Sequence, residues 1–391
     1  MRVEPQDPLP HFNLRGEVVK YFLLVCEGLA DEAREELGGR TPLEVAKTPF
    51  MNQLAENGTI GGGAFSPTSL PTVPEIALFS LLGFDPSEFY TGIAPLEATS
   101  LKIDLNDQDV IFRCDFVNVA DGKMMDDSAG NISESEALTL LKDLKAKVEG
   151  AHRKLYHLES YKNILVYRDA ANAEDLDNME CASPAVIVGQ KTSSHLPKGK
   201  AQRDLLDFMT VSNAVLENHE VNRVRIDLKE NPANQCWLWG QGKKPKMPSF
   251  KQRHGIEGGY FSDVYFVKGF GNAIGLESYQ DFAGLGAKPF NLFYKSAPRV
   301  LDKSKELKNK IKHIEEFDSK VVGPVFKKMT AIKEPARMAV ATEWPHRHAP
   351  VLMYGTGVSV KGASAFNEKN CAQSGILFDP GHSWLEQFLK S

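Results

Sequence analysis

Continuous apolar runs punctuate the chain at Tyr21–Cys26, Gln235–Trp239, Gly259–Val267, Asn291–Tyr294, Arg337–Ala341 and Pro350–Tyr354. Runs of this kind, alternating with amphipathic helical patterns, predict an α/β fold: a mostly parallel sheet buried under helices on both faces. The first run ends at Glu27-Gly28, which turns the chain at the carboxyl end of its strand. Open α/β sheets bind their ligands at that end. Between about Asp109 and Arg225 the texture changes to strands Val110–Val119 and Asn163–Tyr167, a helix over Ser133–Val148 and long polar connections. This stretch reads as a smaller α/β domain inserted into the first. The expected division is core 1–108, inserted domain 109–228 and core 229–391. Ser304–Lys328 is a charged amphipathic helix expected to lay Leu307, Ile311, Ile314, Val321 and Val325 on the sheet.

Composition narrows the function classes. With 391 residues, 42% of them hydrophobic, the chain can bury cores for two domains. A net charge of -5, with Lys and Arg interspersed among acids, argues against nucleic acid as a partner. The start, Met1-Arg-Val-Glu-Pro-Gln-Asp-Pro, lacks a basic stretch followed by an apolar one, and no apolar segment is long enough for a bilayer. A cytoplasmic protein without membrane insertion is expected. The five cysteines (Cys26, Cys114, Cys181, Cys236, Cys371) are scattered and unpaired in sequence, so they read as reduced, mostly buried thiols. Gly269-Phe-Gly271-Asn-Ala-Ile-Gly275 has its third glycine one position late for a dinucleotide loop and reads as a helix-packing turn.

Several blocks, in order, are Gly38-Gly-Arg-Thr-Pro-Leu-Glu, Leu81-Leu-Gly-Phe-Asp-Pro, Tyr90-Thr-Gly with Pro95-Leu-Glu-Ala, Phe112-Arg-Cys-Asp-Phe, Asp127-Ser-Ala-Gly, Trp237-Leu-Trp-Gly-Gln-Gly and Val267-Lys-Gly-Phe-Gly. Together they resemble the archaeal-type cofactor-independent phosphoglycerate mutases of the alkaline phosphatase superfamily, nearly end to end. The resemblance implies a phosphatase-like core with an inserted domain. It also implies phosphate transfer between the hydroxyls of phosphoglycerate through a phosphoserine, with two divalent ions, commonly manganese.

Carried over position by position, the resemblance places Glu27 where the family has a metal-binding Asp. Pro74 falls at the nucleophilic Ser and Glu75 at the Asp after it. Thr72-Val-Pro-Glu75 has the form of a capping box, which gives Thr72 and Glu75 a structural role; Thr72 or Ser69 is the alternative nucleophile. Pro298, Leu301-Asp302 and Lys303 stand at a metal motif whose leading Lys is kept as Lys295. Glu343-Trp344 stands at an Asp-His pair, and His346, with His348 close by, at a further ligand. Of the substrate contacts, Arg113 is kept and an Arg-His pair becomes Lys162-Asn163, while other arginines become Ile93 and Asn131. So many changed positions lead to the expectation of a pseudoenzyme: an inactive mutase-like protein with a lost metal site and no cofactor. It would serve binding, scaffolding or assembly, with a protein partner, a homo-oligomer or a small anionic metabolite. The alternative is an active metal-dependent mutase or related phosphotransferase that uses Glu27, Thr72, Glu343 and His346 with manganese or zinc.

Overall fold

The computed structural model describes residues 18–297, 303–343 and 348–390. Pro298, Asp302, Trp344 and His346 therefore lie outside the described residues. In chain order the strands are β1 (Lys20–Cys26), β2 (Thr59–Gly63), β3 (Val110–Ala120), β4 (Lys123–Asp126), β5 (Arg153–Glu159), β6 (Lys162–Tyr167) and β7 (Gln235–Gly242). They continue with β8 (Gly258–Phe261), β9 (Glu277–Ser278), β10 (Phe290–Lys295), β11 (Ala336–Ala341), β12 (Ala349–Gly355) and β13 (Leu377–Phe378). The chain divides into two compact units, Met1–Tyr90 with Met247–Ser391, and Thr91–Lys246. The second unit is thus wider than the 109–228 segment marked by composition.

The first unit carries an eight-stranded sheet in the order β13-β2-β12-β11-β1-β10-β8-β9. Every neighbouring pair is parallel except those of β12, which runs antiparallel to β11 and β2. The carboxyl ends of β1, β2, β10 and β11 consequently lie along one edge of the sheet. Phe22 and Leu24 of β1 point into a core shared with Met338, Val340, Ile314, Phe317 and Val325, all fully or almost fully buried. Burial of side chains this size contributes about 1.5–3 kcal/mol each, and that is why the continuous apolar runs settle as central strands.

The second unit is built on five antiparallel strands, with β3 pairing β7, β6 and, at its far end, β4. Its helix Glu134–Val148 begins at a complete capping box between Ser133 and Glu136 and lays Leu140, Leu141 and Leu144 on the core. Two strand expectations are corrected here. Gln235–Trp239 belongs to β7 of this antiparallel sheet and not to the main sheet, because its backbone is taken up by β3. The Gly259–Val267 run stops as a strand at Phe261, and Tyr265–Ala273 is a helix whose Gly271 lets it close on Tyr260: a Cβ there would sit 2.7 Å from the ring. The 304–328 helix also departs from ideal form, with a π segment at Asp318–Val322 between Lys303–Phe317 and Gly323–Ala331.

Candidate active site

The carboxyl edge of the main sheet gathers ionisable groups. Past β1, Gly28 adopts φ +72, a conformation that glycine reaches without strain, and the turn presents its N–H. That N–H donates to Glu343 Oε1 at 2.6 Å, joining the end of β1 to the segment after β11. The other oxygen of the same carboxylate, Glu343 Oε2, is buried with no hydrogen-bond partner among the described residues. Burial, and then the neighbouring charge of Glu27, push the Glu343 carboxyl up to about 8. Tyr294, from the end of β10, brings its hydroxyl to 3.5 Å from Glu27 Oε2. Burial raises its pKa well above the ordinary value, with Glu343, Glu27 and Glu75 adding to the effect.

Cations and a thiol stand around this carboxylate pair. Lys310 donates to Asp31 Oδ2 at 2.7 Å and to the Ala30 carbonyl at 3.3 Å. Cys26 Sγ lies 3.3 Å from His313 Nε2. Burial raises the thiol pKa, and burial together with Lys295 and Lys310 lowers that of His313, so the pair rests neutral. Lys295 ends β10, and its carbonyl accepts from the Glu27 N–H at 2.9 Å.

Several sequence-derived positions come out differently. The capping box expected at Thr72–Glu75 does not form: the helix Pro74–Leu81 starts one residue later than that pattern requires, with Val73 at its N-cap and no side-chain cap. Pro74 holds the first helical position, where its fixed φ suits it and its missing N–H costs nothing. Thr72 and Ser69 are left exposed in the loop after β2, while Glu75 is buried and accepts from Tyr90 Oη at 3.3 Å. Arg113 is turned inward. Its guanidinium pairs with both oxygens of Glu97 (3.0 and 2.8 Å) and of Asp115 (2.8 and 3.0 Å) and stacks over Trp239. It is thereby committed to structure. Lys162, half-buried beside it, pairs with Glu159 at 2.6 Å. Sequence reasoning missed Tyr294, which read as one more residue of an apolar strand.

Among the described residues, no group of three or more His, Cys, Asp or Glu side chains is gathered for a metal ion. The Glu27–Glu343 pair, with its orphaned oxygen and mutual repulsion, nevertheless fits a hard cation, which takes carboxylate oxygens. No helix of the described residues is long and apolar enough to cross a membrane.

Comparison with known proteins agrees with the fold. The family model for 2,3-bisphosphoglycerate-independent phosphoglycerate mutase matches residues 55–222. A mutase of that name from Methanothrix thermoacetophila is 35% identical, covering 94% of this chain and 98% of its own. Another from Methanosarcina barkeri is 34% identical over 92% and 96%. The solved PH0037 protein from Pyrococcus horikoshii superposes with a TM-score of 0.71 at 22% identity, covering 95% of this chain and 96% of its own. The cofactor-independent phosphoglycerate mutase from Thermoplasma acidophilum gives 0.57 at 21%, covering 95% and 100%.

These matches overturn the expectation of an inactive pseudoenzyme with a lost metal site and a scaffolding role. Relatives this similar along nearly their whole length bear the mutase name, and nothing in them points to loss of activity. The error lay in treating a substituted motif position as an abolished function, whereas Glu27 and Glu343 still set a carboxylate pair at the sheet edge. By its end-to-end similarity to named members, the chain belongs to the family of 2,3-bisphosphoglycerate-independent phosphoglycerate mutases.

Proposed function

We propose that the chain interconverts phosphoglycerate isomers by phosphoryl transfer, with Glu27 and Glu343 holding a divalent cation and Thr72 offering the acceptor hydroxyl. The observation that carries the reading is the mutase name borne by relatives that match from end to end. The carboxylate pair, with a buried Glu343 oxygen that has no hydrogen-bond partner among the described residues, supports the cation role. When bound, manganese or zinc would neutralise charge on the phosphoryl oxygens. The chain's own residues do the rest. Gly28 N–H fixes one oxygen of Glu343 and so aims the other. Thr72 lies in the exposed loop that runs from the carboxyl end of β2 to the helix Pro74–Leu81, and that end of β2 shares its sheet edge with the end of β1 that leads into Glu27. The bond from phosphorus to Thr72 Oγ1 forms as the bond from phosphorus to one substrate oxygen breaks, the Thr72 hydroxyl proton ending on that oxygen; the second substrate hydroxyl then takes the phosphoryl group from Oγ1 and gives its proton back to Thr72.

The test is mutase turnover of 3-phosphoglycerate by chelated protein, before and after manganese or zinc is restored, for the unaltered chain, Thr72→Ala and Ser69→Ala. Metal-dependent turnover that disappears in Thr72→Ala and persists in Ser69→Ala is expected, with phosphate on the 64–73 segment by mass spectrometry. Absence of turnover with either metal would overturn the proposal; loss in Ser69→Ala alone would move the acceptor to Ser69.

A further inference from the structure

The register of the main sheet gives Tyr294 a place that its apolar strand conceals. In the parallel pairing of β1 with β10, Val25 is the partner of Tyr294. Side chains alternate along a strand, so Glu27, two residues past Val25, leaves β1 on the face that carries the Tyr294 ring. The ring therefore runs along that face toward the sheet edge, and its hydroxyl arrives at the Glu27 carboxylate, 3.5 Å from Oε2. The ring cannot swing away. Tyr294 is 2% exposed, and Phe266 packs edge-on against it with centroids 5.6 Å apart. Backbone pairing holds the base of the arrangement, since Glu27 N–H donates to the Lys295 carbonyl at 2.9 Å.

A glutamate at a strand end has three rotatable side-chain bonds, and a carboxylate meant to face a cation with a partner must be held in one rotamer. Ligating carboxylates are commonly held by a hydrogen bond from a neighbour, and loss of that neighbour costs about 10–100-fold in metal affinity. Glu343 has such a neighbour in Gly28 N–H. For Glu27, the geometry points to Tyr294 as the positioning residue: its phenolic O–H holds the Glu27 carboxylate toward Glu343 and so preorganises the cation site. This assignment rests on the proposal that Glu27 and Glu343 bind a divalent cation.

Tyr294→Phe removes the hydroxyl and keeps the packed ring. Manganese binding to chelated protein, followed by titration calorimetry and by the manganese EPR signal, should weaken roughly 10-fold in Tyr294→Phe. Glu27→Gln serves as the reference for loss of the ligand itself, and Phe266→Leu, which loosens the ring without touching the hydroxyl, should weaken binding less. Unaltered protein that binds manganese with the same affinity as Tyr294→Phe would overturn the positioning role alone. Unaltered protein that binds no manganese would overturn the cation reading, and this inference with it. A fall in melting temperature with unchanged affinity would assign Tyr294 to packing and likewise overturn the inference.

Discussion

Glu343→Gln probes the carboxylate pair from two sides. In metal-free folded protein the Glu343 carboxyl keeps its proton up to about pH 8, against an ordinary value of 4.5, because its surroundings penalise the charge. Between those values the folded chain holds a proton that the unfolded chain has released. Stability therefore falls as pH rises through this window; the favourable contribution is complete below about 4.5 and gone above about 8. At ~1.4 kcal/mol per pH unit, the unaltered protein should lose on the order of 3 kcal/mol relative to Glu343→Gln between the lower limit and neutral pH. Glutamine keeps an acceptor for the Gly28 N–H, so the 2.6 Å bond that ties β1 to the segment after β11 has a replacement. Urea unfolding in chelator at a series of pH values gives the difference curve directly, with other titrations cancelling between the two proteins. Added manganese should then raise the stability of the unaltered protein at pH 7 and leave Glu343→Gln where it was. A flat difference curve across this pH range would refute the electrostatic reasoning, and an equal response to manganese in both proteins would remove Glu343 from the cation site.

Two further perturbations address the frame around the site. Arg113→Met leaves Glu97 and Asp115 buried without their cation, and unfolding stability should drop by about 3–5 kcal/mol, whereas a triple change that also makes Glu97→Gln and Asp115→Asn should recover much of it. Recovery absent in the triple variant would mean that packing on Trp239, and not charge, is what Arg113 supplies. Asp318, fully buried at the π segment, accepts from the N–H groups of Phe50 and Met51 at 3.2 and 2.7 Å and so caps the helix Pro49–Glu56. Asp318→Ala should cost ~1–2 kcal/mol in thermal unfolding, and Asp318→Asn less; equal losses for the two would deny the capping role.

How much of this was legible in the sequence depended on whether the decisive neighbours are local. β1, β10 and β11 declared themselves because strands buried on both faces are continuously apolar, and the helix expected over Ser133–Val148 forms as Glu134–Val148. β2 was invisible. Its Thr-Ile-Gly-Gly-Gly carries almost no apolar signal, since the space a side chain would take is filled by Ile376, His348 and Phe65, whose nearest atoms stand 2.8, 2.8 and 2.2 Å from where a Cβ on Gly61, Gly62 and Gly63 would sit. Gln235–Trp239 looked like a strand of the main sheet because nothing local says that β3 is its partner. Arg113 could be read from the sequence as a kept substrate contact or as a structural residue, and only the fold brings Glu97, sixteen residues away, to its guanidinium beside Asp115.

The resemblance marked Glu27 and Glu343 as positions to watch, but their weight in the argument comes from the fold. A glutamate whose ionisation is opposed by burial and by a neighbouring carboxylate, and whose buried Oε2 has no hydrogen-bond partner among the described residues, is an arrangement that packing alone does not explain. A single Glu→Gln change at Glu343 would remove the repulsion while keeping the bond to Gly28. On the proposed reading, a cation at this point would let Glu343 ionise below its raised pKa, with the Tyr294 hydroxyl beside Glu27 and the Gly28 N–H bound to Glu343. The carboxyl edge of a parallel sheet is where a phosphorylated substrate would bring its charge into contact with such an ion.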